Sequence, residues 1–123
     1  IYISTGLGGK GEKLRFYVLI LANELKPFLE YQKKVIEREF PYSLEKAGCE
    51  IERLTIGEKY MELVFLIPVR ADIKQALDKV INECNQYGNF LSQVFTITNV
   101  KELSAEEVEE IIKKNGGNSQ ASH

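Results

Sequence analysis

An α+β fold of the ferredoxin-like kind is what this sequence of 123 residues predicts: a four-stranded antiparallel βαββαβ sheet with helices on one face, plus a C-terminal helix. Three observations carry that expectation. Residues 14–22 (LRFYVLILA) and 61–67 (MELVFLI) are near-continuous apolar runs, as in strands covered on both faces. Residues 49–57 (CEIERLTIG) and 90–100 (FLSQVFTITNV) mix polar with apolar positions, as sheet edges do. The segments between the strands repeat apolar residues at helical spacing, and the two most apolar strands are the first and third, which this arrangement puts at the centre of the sheet.

Residues 1–13 read as a flexible leader, with residues 14–115 as the domain and 116–123 as a disordered tail. The leader contains Gly6, Gly8 and Gly11 in a formal G-x-G-x-x-G spacing, but it runs into a strand and not into a helix, so a dinucleotide site is not expected there. After the first strand, Pro27 suits the first turn of a helix in which Phe28, Tyr31, Val35 and Ile36 recur through Glu39. Pro41 should kink or end that helix; residues 42–47 resume it and Gly48 stops it. The edge strand 49–57 turns at Gly57-Glu58 into the central strand, which Pro68 closes. Asp72 is the expected N-cap of a helix striped by Ile73, Ala76, Leu77, Val80, Ile81 and Cys84. Tyr87-Gly88-Asn89 breaks it before the last strand. Ser104 and Glu107 form a capping box for a final helix that buries Val108, Ile111 and Ile112 and ends at Gly116-Gly117.

Composition narrows the function. With 44% hydrophobic and 28% charged residues the chain is not a wholly disordered one. The formal charge of −2 means that any nucleic acid would have to be held by a local basic patch. Cys49 and Cys84 lie far apart in no metal-ligating spacing and read as buried thiols of a reducing compartment. No apolar run reaches the roughly 20 residues of a membrane span, so the expected location is cytoplasmic with no membrane partner. The only histidine, His123, lies in the polar tail, which leaves general-base and Ser-His or Cys-His chemistry without its usual group. Glu109 and Glu110 each precede a lysine by four residues, Lys113 and Lys114, so the acidic last helix reads as a solvated face.

In order and spacing, the segment from GCEIERLTIGEKYMELVFLIPVRADIKQALDKV through FLSQVFTITNV to SAEEVEEIIKKN resembles the single-domain HUH tyrosine transposases of the smallest bacterial insertion sequences. The likeness spans residues 14–115. In that family a His-hydrophobe-His on the central strand holds a divalent metal, and the last helix carries a nucleophilic Tyr followed one turn later by Gln. Tyr60, Met61 and Glu62 stand at the first motif here, Ile111 stands at the Tyr and Asn115 at the Gln. The resemblance thus implies a catalytically inactive relative, with no metal, no cofactor and no catalytic residue. It also implies a homodimer joined at an edge strand such as 90–100, with single-stranded or hairpin DNA as the candidate partner. The cations that could serve DNA are Lys33, Lys34, Arg38, Arg70 and Lys74, although a solvated helix face is the commoner meaning of the Lys33, Lys34 and Arg38 cluster. The alternative is a ferredoxin-like dimer for protein interaction or small-molecule sensing without any nucleic-acid role. An enzyme using a metal held by Glu62 and Asn115 ranks last.

Overall fold

The computed structural model describes residues 12–99 and 101–121. The leader's glycine cluster lies outside the described residues. Eight elements follow in order: β1 (Lys13–Ala22), a 3-10 turn (Asn23–Leu25), α1 (Glu30–Lys46), β2 (Glu50–Ile56), β3 (Tyr60–Pro68), α2 (Ile73–Asn85), β4 (Leu91–Thr98) and α3 (Ala105–Ala121). The strands form one antiparallel sheet in the order β2-β3-β1-β4, so the two apolar strands are central and the ferredoxin-like expectation holds. Register runs from Lys13 opposite Pro68 to Leu21 opposite Tyr60.

Strand alternation sorts the side chains between two faces. On one, Val18, Ile20, Met61, Leu63, Phe65 and Ile67 meet Ile36, Phe40 and Leu44 of α1 and Leu77, Val80, Ile81 and Cys84 of α2. Each such side chain, once buried, stabilises the fold by about 1.5–3 kcal/mol. On the other, Tyr17, Leu19 and Val64 pack with Val108 of α3, and Ile111 and Ile112 lie against them. The molecule therefore has three layers, α1 and α2 over one face and α3 over the other.

Both capping predictions hold. Gln75 N–H donates to Asp72 Oδ1 at 3.1 Å, and Ser104 and Glu107 exchange reciprocal bonds of 2.8 and 3.1 Å. Both cysteines are free and buried, and burial raises both thiol pKa values, that of Cys84 to about 12.

Three boundaries differ from the sequence expectation. Pro27 precedes α1 instead of opening it: Leu29 is the cap residue, and its N–H donates to Gln32 Oε1 at 2.8 Å. Pro41 lies inside one continuous helix, because the wholly buried neighbours Phe40 and Leu44 anchor that turn to the sheet and offset a penalty of about 3 kcal/mol. Gly116 and Gly117 do not stop α3, which continues to Ala121; glycine lowers helix propensity by only about 1 kcal/mol. The anticipated Glu109–Lys113 and Glu110–Lys114 pairs are also absent from the ion pairs among the described residues.

Candidate functional site

The face beneath α3 holds the positions that the sequence singles out. Met61 turns into the main core with no exposed surface, so its neighbours Tyr60 and Glu62 turn toward α3. Tyr60 lies opposite Leu21, and Glu62 lies opposite Leu19. The Tyr60 ring crosses Gly57, where a Cβ would collide with ring atoms Cε1 and Cζ, so glycine at the β2–β3 turn is what lets the ring lie there.

Glu62 does not stand free. Tyr17, two residues before Leu19 and hence on the same face, donates its hydroxyl to Glu62 Oε2 at 2.6 Å. Tyr17 is 2% exposed, and burial first, then the bond to Glu62, pushes its phenol well above the usual tyrosine range. It stays protonated and keeps donating.

Ile111 is half-buried against the Tyr17, Leu19, Val64 and Val108 cluster, the same cluster that Tyr60 joins. Asn115, one turn on, is exposed and donates Nδ2–H to the Ile111 carbonyl at 2.7 Å. It thus bonds its own helix. A divalent metal at these positions would need several preorganised oxygen or nitrogen ligands. The residues present offer one carboxylate already bound to a phenol, a second phenol and a self-bonded amide, and among the described residues no three His, Cys, Asp or Glu cluster as ligands. This donor set does not fit such an ion.

A polar network that sequence reading missed borders the same face. Glu102, just before α3, accepts from Arg53 at 2.6 Å and from Arg15 at 3.3 Å, while Arg15 also donates to Glu52 at 2.7 Å. Its only sequence trace is the alternation that sets Arg15 on the Tyr17 face of β1; the partners come from β2 and from the approach to α3. The Arg53 bond, then the other Arg53 and Arg15 interactions, hold the Glu102 carboxyl below its ordinary range. Because the folded-state pKa is depressed, this anchor is fully present above the ordinary carboxylate pKa and is lost as pH falls through the lower folded value. Amide exchange should show the first turn of α3 losing protection in acid before β1 and β3 do; uniform loss would contradict the anchor.

The five candidate DNA-binding cations do not form one patch. Lys33, Lys34 and Arg38 lie along α1, whereas Arg70 and Lys74 flank the start of α2. Arg38 stacks over Tyr87, beyond the far end of α2, a helix of 13 residues and hence about 20 Å long. Lys33 pairs with Glu30 at 3.4 Å, Arg38 with Glu39 at 3.1 Å and Lys74 with Asp78 at 2.8 Å. Lys34 and Arg70 are exposed and without an ion-pair partner among the described residues.

No protein-family model and no curated protein matches this chain. Among solved structures, the fold is shared with transposases. A presumptive transposase of Deinococcus radiodurans R1 superposes with a TM-score of 0.70 at 12% identity, covering 93% of this chain and 97% of that one. A REP-associated tyrosine transposase bound to a REP hairpin superposes with a TM-score of 0.61 at 10% identity, over 89% of this chain and 66% of that one. Identities this low establish a shared fold. No helix among the described residues is long and apolar enough to cross a membrane.

Proposed function

We propose that this chain is a transposase-like protein that has lost strand-transfer chemistry and binds single-stranded or hairpin DNA as a homodimer joined through the β4 edge. The observation that carries the first part is the Tyr17–Glu62 bond: the carboxylate at a family metal position is committed to a buried phenol. Ile111, packed on the α3–sheet seam, offers no nucleophile there. Binding is supported by the hairpin complex of the REP-associated neighbour and by the unpaired cations Lys34 and Arg70. Dimerisation is supported by β4, an edge strand whose Val94 is 79% exposed.

Fluorescence anisotropy of the full chain against a DNA hairpin and an unstructured strand tests the binding. Hairpin preference is expected, with affinity falling roughly 40-fold for a fourfold rise in salt if three phosphates are contacted. Lys34→Glu and Arg70→Glu should each weaken both complexes. Absence of binding at low salt would reject DNA and favour the second reading, a protein-interaction or sensing dimer, which the net charge of −2 and the locally paired cations favour.

A further inference from the structure

We infer that the cleft between the β1–α1 and α2–β4 connections binds one planar nucleobase, presented either by an unpaired stretch of a strand or as a free nucleoside. The cleft encloses about 470 Å³, a size usual for small-ligand sites. Pro27, Leu29 and Phe90 give it apolar surface, and Asn23, Gln32 and Asn89 give it amides. Two of those amides are half-used. Asn23 Nδ2–H donates to the Asn89 carbonyl at 3.1 Å, and Gln32 Oε1 accepts the Leu29 N–H at 2.8 Å. This leaves Gln32 Nε2 as donor, Asn23 Oδ1 as acceptor and the Asn89 side chain as both, all without partners among the described residues. Donors and acceptors beside apolar surface complement the edge and the faces of a base.

The charges speak for a base over a phosphate. Glu24 and Lys26 both line the cleft and pair with each other at 3.3 Å, which leaves it with no net charge. Its walls are fixed before any ligand arrives. Asn23 N–H donates to the Phe90 carbonyl at 2.8 Å, and Asn85 accepts from the N–H groups of Phe90 and Leu91 while donating to the Leu91 carbonyl. The turn that forms one wall holds Glu24 and Leu25 at φ of 58° and 57°, a left-handed conformation that non-glycine residues keep only where their surroundings impose it, and often at binding sites.

Tyr31 and Tyr87 extend the site. Each is 48% exposed, each comes from a segment that lines the cleft, and the Tyr31 hydroxyl donates to the Tyr87 carbonyl at 3.1 Å. The Arg38 guanidinium lies 5.2 Å from the Tyr87 ring centroid. Two exposed rings, one with a stacked cation, suit the next base of a strand. The strand form of the inference rests on the DNA-binding proposal; the nucleoside form does not.

NMR of the ¹⁵N-labelled full chain, titrated with each of the four nucleosides and separately with a mixed-sequence pentanucleotide, tests it. Saturable shifts of the Gln32 and Asn89 side-chain amides are expected. Gln32→Glu keeps the acceptor that caps α1 but loses the donor, and with Asn89→Ala it should weaken binding at least tenfold. Response to the pentanucleotide alone identifies a strand, and response to nucleosides alone a free ligand. If neither probe moves these amides, or both variants bind as wild type does, the inference is overturned. Hairpin affinity in anisotropy with these amides unmoved would reject the cleft and leave DNA binding standing; nucleoside binding without strand affinity would do the reverse.

Discussion

Val108→Asp loosens α3 from the sheet and lowers stability by about 3–5 kcal/mol, the cost of an unpaired charge in an apolar site. Val108 is 4% exposed and sits on Tyr17, Leu19 and Val64, with Leu103, Ile111 and Ile112 around it. A melting temperature lower by roughly 10–20 °C follows for a domain of this size, together with loss of amide protection along α3. Lys114→Asp, at an exposed position of the same helix, should stay within about 0.5 kcal/mol of wild type. Equal effects of the two substitutions would mean that α3 does not cover this face.

Tyr17→Phe should cost about 1.5–3 kcal/mol, because it removes a hydrogen bond to a charged group and leaves Glu62 on a largely apolar face without its donor. Adding Glu62→Leu should recover most of that loss, since removing both polar partners is far less costly than removing one. A double-mutant cycle by urea denaturation reads the coupling directly. Additive losses would show that the pair does not hold the strands together. Consistent with a protonated, buried donor, alkaline titration should show Tyr17 ionising above the ordinary tyrosine range.

Much of the fold is legible in the sequence because the strongest signals are local. Residues 14–22 and 61–67 can be read as central strands from apolar continuity alone, and the stripe of α2 and its Asp72 cap need only a single turn of context. The helix boundaries were misread where long-range packing overrides local preference. Pro41 is tolerated because Phe40 and Leu44 lock their turn onto the sheet, a fact invisible in the residues around the proline. The site was legible only in part. Alternation along β3 correctly sets Tyr60 and Glu62 on one face, yet the partner of Glu62 is Tyr17, 45 residues away, and only the β1–β3 register reveals it. The Arg15–Glu102–Arg53 anchor and the cleft beside Asn89 depend likewise on contacts between distant segments. The five candidate cations, two groups in the sequence, stay apart in the fold as well, toward opposite ends of α2.

Paramagnetic broadening by Mn²⁺ tests most directly the proposal that Tyr60, Glu62, Ile111 and Asn115 hold no metal. The full ¹⁵N-labelled chain is titrated with Mn²⁺ with and without a DNA hairpin, and the amides of Tyr60, Glu62, Ile111 and Asn115 are followed. The expected result is no selective broadening there in either state, with any broadening confined to exposed carboxylates such as Glu109 and Glu110. Saturable broadening centred on Tyr60 and Glu62, and lost in Glu62→Ala, would contradict the proposed absence of a metal site here.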